Sequence, residues 1–186
     1  MLDFDDLPPL IEPAHLSMPE GTEVEQADLD AVCNDIRIAC GWHIAPRVAD
    51  LEMVVNAQGG TILTVPSLRM GEPSSIVDST GGAITGWTWS SNGILEGSWP
   101  AGLRSVTVTA DSGFVACPAS IRAVIEDMLA DRTNVRDGGG FSQIALDGAT
   151  LTSANPYAPR GSSSDVGVRR NLMDAYGHIL GRYAIR

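Results

Sequence analysis

The hydrophobic residues of this chain change their spacing twice, and these changes limit the folds that it can adopt. Near the start they recur at helical spacing, at Val24, Leu29, Val32, Cys33, Ile36 and Cys40. Between residues 48 and 110 apolar and polar residues alternate, which is typical of half-buried strands. Helical spacing returns after Pro118. The sequence therefore predicts an α+β fold: a small helical bundle with an inserted antiparallel β-element at about 48–110.

The first predicted helix has a boundary signal at each end. It covers Glu23–Cys40, and Thr22 and Glu25 have the spacing of a capping box at its start. In such a box the hydroxyl accepts a bond from a free backbone N–H, while the carboxylate reaches back to the N–H of the cap residue. Gly41 supplies the C-terminal stop, because glycine readily adopts the left-handed conformation that ends many helices.

Two further helices are predicted in the second half of the chain. The second helix begins at Pro118, because a proline in the first turn lacks only an N–H that has no helical partner there. It ends near Thr133. The last helix runs from about Asp165 to His178, where apolar residues again share one face.

Short strands separated by turn residues are predicted for the middle of the chain. They cover Leu51–Val55, Thr61–Val65, Ser74–Asp78, Ala83–Trp89, Ile94–Glu96 and Leu103–Ala110. Between two of them, Asn92-Gly93 is the dipeptide that a type I′ hairpin turn favours. A separate short hairpin is predicted at Ile144–Leu151, around Asp147-Gly148.

Both ends of the chain are predicted to extend from the main domain as mobile arms. Residues 1–21 contain four prolines and several acids, which indicates an extended acidic arm. Residues 22–180 form the main domain, with a Gly- and Ser-rich loop at 138–164. Residues 181–186 have no apolar partner nearby in the sequence and are predicted to be a free tail.

Composition indicates a soluble globular protein of one domain. The 186 residues are 44% hydrophobic, which suffices for a core without metal or disulfides. The net charge is -11 and all 12 basic residues are arginine, so wrapping around nucleic acid is not expected. Neither a signal peptide nor a membrane span is recognisable. Pairing of the 3 cysteines would leave one over, so a disulfide framework is not expected. We expect synthesis in a reducing cytosol.

One set of residues raises the question of a metal site. Cys40 and His43 have ligand-like spacing, and Cys33, Cys117 and His178 could complete a zinc site. Two of the three cysteines, however, lie on the apolar face of the first helix, where cysteine behaves as a small hydrophobic residue. Buried thiols are the favoured interpretation, and no metal or other cofactor is predicted.

The sequence also offers little support for catalysis. Ser112 lacks the flanking glycines of a nucleophile elbow. No carboxylate lies at a spacing from His15, His43 or His178 that would indicate a catalytic triad. The glycine run that follows Asp137 comes after a helix and lacks the Lys-Ser/Thr pair of a phosphate-binding loop. We therefore expect a protein that is not an enzyme.

Tryptophan accounts for a large share of the few aromatic residues, at Trp42, Trp87, Trp89 and Trp99. Trp87 and Trp89 are two residues apart on a predicted strand and would face the same side. Such a flat face could stack against sugar rings, which makes a carbohydrate-binding module the alternative function. The favoured interpretation is that the four tryptophans fill the core or a subunit interface.

Three segments in a fixed order resemble a known family. Residues 40–46 (CGWHIAP) end the first helix, residues 99–109 (WPAGLRSVTVT) enter a strand, and Ser112-Gly113-Phe114 leads to residues 117–124 (CPASIRAV). This order resembles the head-to-tail adaptor, or head-tail connector, proteins of long-tailed double-stranded DNA bacteriophages. The resemblance covers about residues 22–133.

The resemblance implies a structural role in the virion neck, with assembly in the host cytoplasm. Copies, usually dodecameric, would form a ring on the portal protein and present a surface to the stopper or tail-completion protein. The double-stranded DNA would pass through the ring without specific binding during ejection. Acidic walls suit such a conduit, because they repel phosphates within about 10 Å. No membrane partner is expected, and the alternative to this role is a carbohydrate-binding or other tail-associated virion module.

In such adaptors the C-terminal segment often reaches toward the head, which makes the tail of this chain a candidate for docking on the portal protein. Tyr183 and Ile185 would anchor in apolar pockets, while Arg182 and Arg186 would pair with carboxylates. The hypothesis depends on the tail having no packing partner within its own subunit.

Overall fold

The chain folds as a helical unit into which a β-element is inserted. The computed structural model describes residues 7–19, 22–136, 144–146, 149–151 and 172–185, and these contain three α-helices, two three-stranded antiparallel sheets and a two-stranded hairpin. In chain order the elements are α1 (Gln26–Cys40), β1 (Val48–Gln58), β2 (Ile62–Thr64), β3 (Ser75–Asp78), β4 (Thr88–Ser90), β5 (Ile94–Glu96), β6 (Ala101–Ser112), α2 (Ala119–Arg136), β7 (Ile144–Leu146), β8 (Ala149–Leu151) and α3 (Leu172–Leu180). The α+β class and the inserted antiparallel element are as predicted.

Helix α1 starts later than its sequence predicts. Glu25 is the residue before the first helical turn, its backbone is still extended, and its side chain makes no capping hydrogen bond. Thr22 instead donates its backbone N–H to Pro19 O at 3.1 Å, so it lies in a turn that precedes the helix. The predicted capping box is therefore wrong. The predicted C-terminal stop is confirmed, because Gly41 has φ +81° and donates to Arg37 O.

For the other two helices, the start of α2 and the end of α3 lie close to their predicted positions. Arg122 N–H donates to Pro118 O at 2.9 Å, so the predicted proline precedes the first helical residue of α2. This helix continues to Arg136, one turn beyond its predicted end. Helix α3 ends at Leu180, and its predicted start at Asp165 lies outside the described residues.

The first sheet has the strand order β1-β6-β3, and the long strand β6 lies at its centre. Met53 faces Val108 and Val55 faces Val106 across β1 and β6, so one side of this pair is continuously apolar and buried. The second sheet has the order β2-β5-β4 and buries Leu63 and Leu95. Together the two sheets form a hydrophobic cluster of their own, separate from the cluster of the helical unit.

Two details of the predicted strands are wrong. The strand predicted at Ala83–Trp89 is confined to Thr88–Ser90, because Gly86 has φ +76° and interrupts the extended chain. The turn at Asn92-Gly93 is not a two-residue turn, since Ser90 pairs with Ile94 across a loop of three residues. The predicted hairpin at Ile144–Leu151 is confirmed in its two paired strands, and its turn lies outside the described residues.

The N-terminal segment lies against the helical unit where the structure describes it. Leu10 and Ile11 are buried in the helical cluster, and Leu10 N–H donates to Cys33 Sγ at 3.3 Å. Farther along, Ser17 N–H donates to Glu126 Oε1 of α2 at 2.7 Å. The expectation of a detached arm is therefore wrong for residues 7–19; residues 1–6, 20 and 21 lie outside the described residues.

A buried arginine fastens this segment to the rest of the fold. Arg37 of α1 is almost completely buried and donates to the carbonyl oxygens of Pro8 and Ala45 and to Asn34 Oδ1. The guanidinium therefore links the N-terminal segment, the helix and the turn that follows it. Loss of water around the buried group lowers the pKa of Arg37 from its usual value.

Candidate functional site

The C-terminal segment, where docking on the portal protein is predicted, packs onto its own subunit. The Tyr183 ring meets Phe114 edge-on with centroids 6.1 Å apart, and its hydroxyl lies 3.0 Å from Ser120 Oγ. The indole N–H of Trp42 donates to Tyr183 O at 2.5 Å. The aromatic side chain that was predicted to reach another protein is thus half-buried among residues from three parts of the helical unit.

The rest of this segment continues the contact. Ile185 N–H donates to Cys40 O at 3.0 Å, and the Ile185 side chain packs against the helical cluster. Arg182 is exposed, and Arg186 lies outside the described residues. The premise that residues 181–186 lack a local packing partner is therefore wrong for residues 181–185. Sequence spacing could not reveal it, because the partners are distant in the chain.

The four tryptophans separate into two buried and two more accessible side chains. Trp42 belongs to the helical cluster, and Trp99 belongs to the sheet cluster with its indole N–H donating to Thr61 O at 3.2 Å. Trp87 is half-buried and donates to Ile84 O at 3.0 Å, whereas Trp89 is 37% exposed. Trp87 lies directly before β4 and packs against the sheet cluster, whereas Trp89 is a member of β4.

The three cysteines considered as metal ligands lie in or against the hydrophobic cluster of the helical unit. The part of the chain that the structure describes contains no cluster of three His, Cys, Asp or Glu that could hold a metal ion. Burial raises the pKa of Cys40 to about 11 and that of Cys117 to about 12, which keeps both thiols protonated at neutral pH. Cys33 is buried as well, and His178 is exposed on α3.

His43 is a buried histidine at the junction of the helical unit and the β-element. Its Nε2 contacts the carbonyl oxygen of Pro46, and its buried Nδ1 has no hydrogen-bond partner. Burial is the largest cause that lowers the pKa of His43 to about 4, while the contact with Pro46 opposes the shift. The imidazole is therefore neutral at pH 7.

This burial predicts a loss of stability in mild acid. Between pH 6.5 and about 4 the unfolded chain binds a proton at His43 that the folded chain does not, so folding weakens as pH falls through this window. The shift corresponds to up to about 3 kcal/mol of unfolding free energy. In urea titrations from pH 7.5 to 4.5, His43→Asn should show a smaller fall in stability than the unchanged protein. Equal falls would contradict the prediction.

Ser112, which the sequence offered as a candidate nucleophile, is buried at the end of β6. Its hydroxyl lies 2.9 Å from Ser67 Oγ, so the two hydroxyls satisfy each other within the fold. His15 is exposed in the N-terminal segment. Within the residues that the structure describes, no hydrogen bond joins Ser112 to His15, His43 or His178.

The most exposed large apolar side chains in the described residues are features that sequence analysis missed. Leu103 is 85% exposed and Val115 is 80% exposed. The sequence pattern places Leu103 in a regular strand and gives no sign of this exposure. The sequence signal that could have indicated an irregular strand at Leu103 is the preceding Gly102, because a glycine inside a strand pattern often marks a bulge. Exposed apolar residues of this kind are candidates for contact with another protein.

The ion pairs of the described residues tie elements of the subunit together. Arg132 of α2 lies 3.2 Å from Asp35 and 3.8 Å from Asp28, both on α1. Arg47 pairs with Asp111 at 2.8 Å. These arginines are engaged within the chain, and the acidic residues remain in large excess. Within the described ranges, no helix is long and apolar enough to cross a lipid bilayer.

A scan against protein-family models found no match for this chain, and a search of curated proteins found none either.

Proposed function

We propose that this chain is a non-catalytic structural protein of the virion neck of a long-tailed double-stranded DNA phage. Copies would form a ring between the portal vertex and the tail, join the head to the tail and conduct DNA. The order of the elements carries this proposal. A first helix, an inserted β-element, a long strand, a Gly113-Phe114 turn and a helix introduced by Pro118 follow each other as the resemblance implies.

The engagement of the reactive side chains supports a role performed by surfaces. Ser112 is bonded to Ser67, His43 contacts a backbone carbonyl, and the thiols are held protonated by burial. In contrast, large apolar side chains such as Leu103 and Val115 face outward. A protein that assembles with copies of itself and with two larger structures needs surfaces of this kind.

The charge of the chain suits a passage for DNA. A net charge of -11 on each subunit would be multiplied by the ring order, and phosphates near acidic walls are repelled rather than bound. The Arg182 side chain is the described C-terminal residue that stays exposed for contact with the carboxylates of a portal protein. Docking through Tyr183 would first require its separation from Trp42 and Phe114.

Removal of the chain from the phage tests the proposal. A nonsense codon in its gene should yield DNA-filled heads and separate tails, counted by electron microscopy, and added purified protein should restore joined particles. Antibodies against the chain should label the neck. Joined infectious particles without the chain, or labelling away from the neck, would refute the proposal.

A further inference from the structure

The residues that follow α3 lie across partners from four other places in the chain. We refer to residues 182–185 as the strap and to their partners as the strap site. The partners come from the end of α1, the turn after it, the turn after β6 and the first turn of α2, at Cys40, Trp42, Phe114 and Ser120. The strap site is thus built by parts of the fold other than the helix that leads into the strap.

Two hydrogen bonds join the strap site to the backbone of the strap. The indole N–H of Trp42 donates to Tyr183 O at 2.5 Å, and Ile185 N–H donates to Cys40 O at 3.0 Å. Cys40 is the last residue of α1, and the last carbonyl groups of a helix have no partner within it. The site therefore offers one donor and one acceptor to the backbone of a peptide.

Two side chains of the strap give the contact its specificity. The Tyr183 ring meets Phe114 edge-on, and its hydroxyl lies 3.0 Å from Ser120 Oγ. Ile185 lies over Gly41, since a Cβ added to that glycine would be 3.9 Å from Ile185 Cβ. The site thus fits an aromatic side chain with a hydroxyl group, followed two residues later by an aliphatic side chain.

Helix α3 is anchored in the fold by residues that precede the strap. Leu180 is completely buried, Tyr176 is almost completely buried, and the Tyr176 hydroxyl donates to Asp127 of α2 at 2.5 Å. Tyr183 and Ile185, in contrast, are only partly buried. Regions with few buried contacts open at a lower free energy than the core. We therefore expect the strap to open while α3 stays in place.

We infer that the strap site is a peptide-binding site, and that the strap closes it in the free subunit as an autoinhibitory contact. The ligand class is a peptide segment with the aromatic and aliphatic side chains of Tyr183 and Ile185 at the same spacing. A segment of this kind from elsewhere can enter only after the strap has opened. The device belongs to the single subunit, so it goes beyond the proposed function and holds whether or not copies form a ring.

The covalent connection makes the strap a strong competitor for its own site. A short tether gives a binding segment an effective concentration on the order of millimolar, so an added peptide displaces it poorly. Tyr183→Ala and Ile185→Ala remove the two side chains of the strap and leave every residue of the strap site unchanged. The full chain with both substitutions should therefore have an open site.

Calorimetric titration of this double variant with an acetylated peptide of residues 181–186 tests the inference. The peptide should bind the double variant at least about tenfold more tightly than it binds the unchanged chain, in which the tethered strap competes. The matched control peptide carries Tyr183→Ala. It keeps both arginines, so it has the same general attraction to an acidic protein, and we expect no measurable binding. Circular dichroism checks that the double variant is folded.

Hydrogen exchange of the unchanged chain gives a second test that requires no variant. The Ile185 N–H, which is bonded to Cys40 O, should exchange at least about a hundredfold faster than the N–H of Ile125, a completely buried residue of α2. Exchange of both at the same rate would overturn the inference, because the strap would then open only when the whole domain unfolds. This measurement decides the matter if the double variant does not fold.

The titration has equally clear contrary results. Equal affinity of the peptide for the double variant and the unchanged chain, equal binding of the two peptides, or no binding to a folded double variant would overturn the inference. None of these results depends on whether joined phage particles require the chain. The proposed function is therefore tested separately, and either proposal can fail while the other stands.

Discussion

Replacing Trp42 with alanine is expected to lower the free energy of unfolding by about 4 kcal/mol, because a fully buried aromatic side chain leaves a large cavity when it is removed. The substitution also leaves Tyr183 O without the indole donor. A domain of this size has a total stability of about 5–15 kcal/mol, so the variant would retain little of it. Urea unfolding followed by circular dichroism measures the change.

Trp89→Ala is the matched control for this experiment. The same atoms are removed from a side chain that is 37% exposed on β4, so we expect a loss of about 1 kcal/mol or less. Trp42→Phe should fall between the two, since it keeps most of the packing and loses the hydrogen bond. Similar losses for Trp42→Ala and Trp89→Ala would show that Trp42 is not a central core residue.

Gly93→Ala is expected to be the second severe substitution, with a loss of about 3–4 kcal/mol. Gly93 has φ +79°, and an added Cβ would lie 2.5 Å from Val65 O and even closer to Ser67 O. Both neighbours are backbone atoms in a loop that is fixed by the bond from Val65 N–H to Gly93 O at 2.8 Å. They cannot move aside as a flexible side chain would.

Gly86→Ala separates the two causes of this loss. Gly86 has φ +76°, but nothing lies within 4 Å of the position that its Cβ would occupy. It therefore reports the conformational cost alone, about 1 kcal/mol. The difference between the two variants in thermal or urea unfolding measures the steric contribution at Gly93. If Gly93→Ala were no worse than Gly86→Ala, the close approach of the loop would be refuted.

Elements that depend on local signals could be predicted from the sequence. The periodic apolar residues of α1, the glycine that ends it and the proline that introduces α2 act over only a few neighbours. The capping box failed for a local reason as well: Thr22 is held in the turn from Pro19, which left the helix to begin after Glu25.

Contacts between distant parts of the chain could not be predicted. The hydrogen bond between Trp42 and Tyr183 spans 141 residues, and no periodicity reveals it. For the same reason a proline-rich composition suggested a free N-terminal arm, although Leu10 reaches Cys33. The exposed position of Leu103 was missed because the predicted strand includes this residue, and only the pairing with β1 shows that β6 has two additional residues between Gly102 and Val106.

The pairing of β1 with β6 has a consequence for the entropy of folding. Helices α1 and α2 are separated by roughly 80 residues, and bringing them together directly would close a long loop. Once Val48 pairs with Ser112, about 13 residues remain to be closed between the helices. By logarithmic scaling this lowers the closure cost by about 1.5 kcal/mol. The β1–β6 pair, once formed, therefore lowers the entropic cost of bringing the two helices together, although its own buried side chains belong to the sheet cluster and not to the helical cluster.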